Sequence, residues 1–336
     1  MARRTPRNVR RLAALWIAAA GAFFAPGQAQ ASEEIFSARR IPGRSVDADR
    51  FPGNVTILTA DDLRRMKAAT IQQALAGLEG VSFSDQQGFG LASNATLNLR
   101  GIVNSSRTNA LVLVDGIRQN RLTGDEVHWQ SIPVDQIERI EVIRGGGGLI
   151  YGEGALAGVI NIFTKQDGER PLTTEQTVEI GSFGWQKYHV GAQGRADPVH
   201  YGVHSTRRLV DGYREFSWSR NTTVRANAGL ELARGLVAEL HVAHSDDTTA
   251  FPGLLTLAQS QQRQKQTNAF HGLNTTETDQ VSLDLIAGPH EGLSGILSAF
   301  WGRRVQTSED SIAFNSFTVT PSRGVSLRTN QEWIGS

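Results

Sequence analysis

The chain has 336 residues, a formal net charge of +1 and no cysteine. That balance argues against a dedicated nucleic-acid binder, which carries a strong basic excess or stripe; without thiols there are no disulfide frameworks, thiolate metal sites or cysteine nucleophiles. With 35 glycines against 10 prolines, collagen-like and proline-rich linker readings fail, and sharp turns with packed strands fit better than long helices.

The first 31 residues read as an export signal. Arg3, Arg4, Arg7, Arg10 and Arg11 form a positive start, Leu12 to Ala25 an apolar core, and Ala29-Gln30-Ala31 a cleavage pattern. The apolar run is too short for a spanning helix, which needs about 20 residues. No later run is long enough either, so a membrane-bound mature protein would have to span as a closed barrel.

Residues 50–166 are mixed and rich in short β runs. Ala60–Leu63 and Thr70–Leu78 carry helical signals: Thr59 and Thr70 stand at the N-cap positions, and Ile71, Leu75 and Leu78 fall on one face. Thr96–Arg100, Leu111–Val114, Ile140–Ile143 and Gly158–Thr164 read as strands.

From about residue 174 the pattern changes to alternating segments separated by Gly, Asp, Asn and Pro turns. In 221–233, Val224, Ala226, Ala228, Leu230 and Leu232 oppose Arg225, Asn227 and Glu231. The segments 236–244 and 280–287 repeat this: Leu240 and Val242 oppose Glu239 and His241, and Leu283 and Leu285 oppose Ser282 and Asp284. A period of two gives each strand one apolar and one polar face. Alternation alone fits a soluble sheet with one wet face equally well. Short turns at one end (Asp197-Pro198, Arg234-Gly235) and long polar stretches at the other (246–276, 306–320) favour an outer-membrane barrel.

The plug-like region resembles the TonB-dependent outer-membrane receptors, segment by segment and in order. The segments are Phe51-Pro52-Gly53-Asn54-Val55-Thr56-Ile57-Leu58-Thr59, Thr70-Ile71-Gln72-Gln73-Ala74-Leu75 with Gly80-Val81, Leu97-Asn98-Leu99-Arg100-Gly101 and Leu111-Val112-Leu113-Val114-Asp115-Gly116. They continue with Ile132-Pro133 through Ile137-Glu138-Arg139-Ile140-Glu141-Val142-Ile143-Arg144-Gly145, then Tyr151-Gly152 and Gly158-Val159-Ile160-Asn161-Ile162. One departure is Gly146-Gly147-Gly148, where the family usually has a turn with proline and serine; glycine leaves φ free where proline would fix it. Glu33 to Arg40 resembles the TonB box, with Phe36-Ser37 where Val-Thr is commoner. An extended segment of this kind can add as a strand to a partner's sheet edge.

The resemblance implies an α+β plug domain followed by antiparallel transmembrane β-barrel strands. The barrel is incomplete, with about eight of an expected 22 or so strands. The implied organisation is an export signal (1–31), a TonB-box segment and linker (32–49), the plug (50–166) and the start of the barrel (167–336). An eight-stranded barrel is just wide enough for its own side chains, so a truncated product is expected. The implied function is energy-coupled uptake of a scarce nutrient complex, a ferric siderophore first, with cobalamin or haem as alternatives within the family. A passive porin or adhesin is the rival among membrane proteins, and a soluble secreted β-protein the rival outside them. Expected partners are TonB in the periplasm, outer-membrane lipid and a metal-chelate ligand, with no nucleic acid, no cofactor and no enzymatic activity.

Three groups of residues follow. Glu34, Ile35, Phe36, Ser37 and Ala38 are expected to couple to TonB. Gln86, Gln87, Phe89, Asn94, Arg118, Asn120, Arg121, His128 and Trp129 are expected on the apical plug loops against substrate, with the Asn104–Thr108 turn at the opposite end. Arg100 and Arg144 are expected to face the barrel wall and pair with carboxylates there. Two motifs are decoys. Gly152-Glu153-Gly154-Ala155-Leu156-Ala157-Gly158 imitates a dinucleotide-binding turn, but the β-branched Val159-Ile160-Asn161-Ile162 follows where a helix is required. His241 and His244 are three apart on a strand and so point to opposite faces. No G-x-S-x-G elbow organises the serines, and no metal site is expected.

Overall fold

The computed structural model describes residues 54–84, 95–101, 110–120, 127–145, 154–165, 170–290, 293–310 and 315–331, with backbone alone for 288–290, 293–294, 310 and 315–331. The export signal, Glu34–Ala38, the Asn104–Thr108 turn and Gly146–Gly148 lie outside these residues.

The chain enters the plug through β1 (Asn54–Thr59), which runs directly into α1 (Ala60–Met66). Thr59 stops the strand and starts the helix. Its hydroxyl accepts from the Asp62 N–H, and the Asp62 carboxylate accepts from the Thr59 N–H at 2.9 Å. This reciprocal cap is worth about 1 kcal/mol. The Thr70 hydroxyl caps α2 (Ile71–Ala76) by accepting from the Gln73 N–H at 3.3 Å, and Ile71, Ala74 and Leu75 turn into the core.

Next come β2 (Val81–Ser84), β3 (Thr96–Leu99), β4 (Leu111–Val114), β5 (Ile117–Arg118), β6 (Ile137–Arg144) and β7 (Gly158–Thr164). β2 and β3 pair with each other; the rest form a five-stranded sheet in the order β1-β6-β7-β4-β5, with β4 and β7 parallel. Every residue of β4 and β7 is buried, which is why they read as unbroken runs without alternation. Gly158 is obligatory at the start of β7, because a Cβ there would sit 2.2 Å from the Ile143 carbonyl oxygen and its φ is +152°.

Eight further strands form one antiparallel sheet in sequence order: β8 (Thr173–Ile180), β9 (Gln186–Ala196), β10 (Val199–Val210), β11 (Ser219–Ala233), β12 (Leu236–Phe251), β13 (Gly272–His290), β14 (Leu293–Asp310) and β15 (Asn315–Gln331). Among the described residues no pairing joins β8 to β15. The sheet is inside-out relative to a soluble protein. Val190, Val203, Leu232 and Leu283 are each at least half exposed, at 58%, 51%, 53% and 50%, while Thr206 and Asp247 are 0% exposed. The polar face lies against the plug and the apolar face points away from it. That is the arrangement expected of a wall in lipid, and it decides between the two sheet readings left open by alternation.

Two-residue turns separate β9 from β10 and β11 from β12, while residues 211–218 and 252–271 connect strands at the other end. The expected loops 246–276 and 306–320 are much shorter. β12 runs on to Phe251, β13 starts at Gly272, β14 reaches Asp310 and β15 begins at Asn315. Both faces turn polar beyond the apolar band, as in Thr248, Thr249, Thr275 and Thr276, so amphipathic alternation stops while the backbone ladder continues.

Candidate functional site: the seam between plug and wall

The plug meets the wall chiefly through the segment between β5 and β6. Two 3₁₀ turns, Trp129–Ser131 and Val134–Gln136, fold it into a compact foot. Three wall cations on adjacent strands grip it. Arg208 of β10 donates to the Gln130 carbonyl at 2.5 Å, Arg225 of β11 to the Ser131 carbonyl at 3.1 Å, and Lys187 of β9 to the Asp135 carboxylate at 3.0 Å. Gln136 donates to the Thr206 hydroxyl at 3.2 Å. Lys187 is 2% exposed and also pairs with Glu179, so its buried charge is matched by two carboxylates. Arg208 spends further donors on Asn221.

His128 sits in this seam with its Nε2 3.6 Å from Asp247 of β12, longer than a hydrogen bond. Burial pushes its pKa below the usual imidazole value, and the Asp247 charge only partly offsets this. The ring is therefore neutral at pH 7.

Several expected substrate contacts are placed elsewhere. Trp129 is fully buried, its indole N–H donates to the Ala95 carbonyl at 2.8 Å, and its ring meets Phe83 edge-on at 5.4 Å. It is a core residue, because an indole between two strands satisfies both its apolar body and its one donor. His128 belongs to the wall contact just described. Asn120 is buried too: its amide accepts from the Val112 N–H and donates to the Ala110 carbonyl, completing the end of β4 as a strand partner would. Arg118 is half-buried, with its guanidinium beside Gly154. Gln86, Gln87, Phe89, Asn94 and Arg121 lie outside the described residues.

Arg144 donates to the Glu79 carbonyl at 3.0 Å, to Asn54 at 2.9 Å and to Thr56 at 2.7 Å, tying β6 to β1 within the plug. Arg100 is exposed, with its guanidinium over Gly145. So the described seam runs in the opposite sense to the expected one: wall cations reach plug carbonyls. Lys187, Arg208 and Arg225 escaped the sequence reading because each looks like an ordinary polar residue of an amphipathic strand. The signal available was their shared polar face.

The two decoys resolve as their local sequence requires. Gly158 opens strand β7, with no helix after the glycines. His241 contacts Glu239 and Asp284 on the inner face, and His244 contacts Asp279 on the outer face.

Residues 47–159 match the family model described as the TonB-dependent receptor plug domain. Over these residues the chain carries a plug domain of the TonB-dependent receptor kind. Over 154 residues the chain is 35% identical to the vitamin B12 transporter BtuB of Vibrio cholerae serotype O1, a match spanning 44% of this chain and 24% of the relative. In fold it is similar to the unliganded ferric citrate transporter FecA, with a TM-score of 0.73 and 18% identity, covering 90% of this chain and 48% of that one. It is also similar to the ferric yersiniabactin uptake receptor FyuA of Yersinia pestis, with a TM-score of 0.65 and 16% identity over 86% of this chain and 47% of that one. The chain spans about half the length of these solved chains.

Proposed function

We infer that the protein takes part in energy-coupled uptake of a scarce nutrient complex across the outer membrane, a ferric siderophore first, with no chemistry performed on the cargo. The observation that carries this reading is a plug of the receptor family held against the polar face of a wall whose apolar face points outward. A passive pore or adhesin has no use for such a plug. In this reading residues 1–31 are removed on export, residues 50–166 are the plug and residues 167–336 belong to the barrel. Glu34–Ala38 engages TonB, and Gln86, Gln87, Phe89, Asn94, Arg118 and Arg121 meet the ligand. The 35% identity to a vitamin B12 transporter supports cobalamin as the second reading.

The test is growth of the source cell with and without the gene, supplied with single defined iron sources or with cobalamin as the limiting nutrient. A defect confined to one source, and reproduced by loss of TonB, is the expected result. Growth unchanged on every source would overturn the reading.

A further inference from the structure

The two described long connections of the wall, residues 211–218 and 252–271, are built around one side chain. Arg214 is half-buried, and its guanidinium is directed entirely into backbone carbonyls of the second loop. Nη1 donates to the Gly253 oxygen at 2.6 Å, Nη2 to the Gln266 and Pro252 oxygens at 2.8 and 3.3 Å, and Nε to the Gln266 oxygen at 3.2 Å. The fork therefore spans both ends of the second loop. Its own loop is locked beneath it, because Ser217 Oγ accepts from the Arg214 N–H at 3.0 Å and donates to the Arg214 oxygen at 2.6 Å.

Further contacts cross between the loops. The Glu215 N–H donates to the Lys265 carbonyl at 2.7 Å, Arg263 pairs with Glu215, Tyr213 donates to Gln264 at 3.1 Å, and Phe216 meets His271 edge-on at 4.8 Å. The neighbouring hairpin turn joins in: the N–H groups of Asp211 and Gly212 donate to the Phe183 carbonyl, and Phe183 stacks edge-on against Tyr213. Within the second loop a short helix, α3 (Leu257–Gln262), starts at Thr256 and has no buried residue. It has no core of its own to hold it in place.

We propose that Arg214 is a clasp that makes these two loops a single preorganised platform at the long-loop end of the wall. Lysine cannot replace it, since a single ammonium offers no planar fork to carbonyls on both ends of a loop. An arriving ligand meets one body, and the ordering of residues 252–271 is complete before it arrives, which lowers the entropic cost of binding. That this end faces the ligand rests on the receptor reading; the clasp itself does not.

Limited trypsin digestion of the full chain in detergent micelles tests the clasp apart from that reading. Arg263 and Lys265 are exposed trypsin sites whose backbone lies inside the clasped loop. Cutting after them tracks the population of locally opened loop. Arg214→Ala should speed cleavage at these two bonds by about tenfold or more, as expected for loss of several hydrogen bonds to a charged group, with cleavage in the strands unchanged. Arg214→Lys should fall between Arg214→Ala and the parent. If Arg214→Ala also opens the strands, Arg214→Lys carries the test alone, with faster cutting expected only after Arg263 and Lys265. Parental cleavage rates at these bonds in Arg214→Lys and in any folded Arg214→Ala protein would overturn the proposal.

Discussion

Trp129 and His128 are neighbours in sequence with different duties. Trp129→Ala removes a fully buried indole and should cost about 3–5 kcal/mol. Trp129→Phe keeps most of the packing but strips the Ala95 carbonyl of its donor, and should cost about 1–3 kcal/mol. Urea unfolding followed by circular dichroism orders the two; a tryptophan on a ligand-binding rim would show almost no loss in either. His128 gives a pH signature. Its folded pKa is depressed, so the unfolded chain binds the extra proton as pH drops. The stability it supports is fully present above about 6.5, its unfolded value, and is lost as pH falls from there through the folded pKa. His128→Asn should flatten that part of the stability profile relative to the parent chain; equal slopes in the two would show that the ring is not held neutral in the seam.

Among the elements, the wall strands carry the clearest prediction. Leu283 lies in the outer apolar band, opposite Leu240 on β12 and Ala299 on β14. Leu283→Arg should weaken folding into lipid vesicles by about 2–4 kcal/mol near mid-bilayer, read from urea titration of the vesicle-bound chain. In a soluble sheet the same change would be nearly neutral. The strands were legible in the sequence because lipid and lumen impose opposite demands on successive residues. The alternation of β11 gave both its extent and its two faces. Legibility failed where that contrast ends. Above the row Val224, His244, Asp279 and Arg303 both faces meet water or polar neighbours, so the ends of β12, β13 and β14 looked like loops. The foot was misread for a related reason. His128, Trp129 and Asn120 are polar or amphipathic, which is the composition of a rim. Nothing local says that the wall closes over His128 or that the plug's own strands take up Trp129 and Asn120. The α1 cap, by contrast, was fully local, and Thr59 marked its helix start within the sequence.

For the whole molecule, the foot is a join between plug and wall, and its strength should be separable from the strength of either part. Replacing Arg208 and Arg225 together by alanine should raise amide hydrogen exchange across residues 128–136 by about tenfold or more, since each loses a charged hydrogen bond to a buried carbonyl. Protection in β4 and β7 should be retained, because their core is internal to the plug. Unchanged exchange in the foot would mean that packing and the Lys187 and Gln136 contacts hold it without the arginines. The grip also bears on how the two surfaces can drift. Arg208 and Arg225 hold main-chain oxygens, and every amino acid at positions 130 and 131 supplies one. As far as this grip is concerned, the plug side of the joint is blind to mutation, whereas the wall side depends on two particular guanidinium groups. A saturation library should therefore be lopsided, with many tolerated letters at 130 and 131 wherever the pocket has room and almost none at 208 and 225. A partner plug grafted from a distant relative would be held by the same two arginines as long as its backbone followed the same turn.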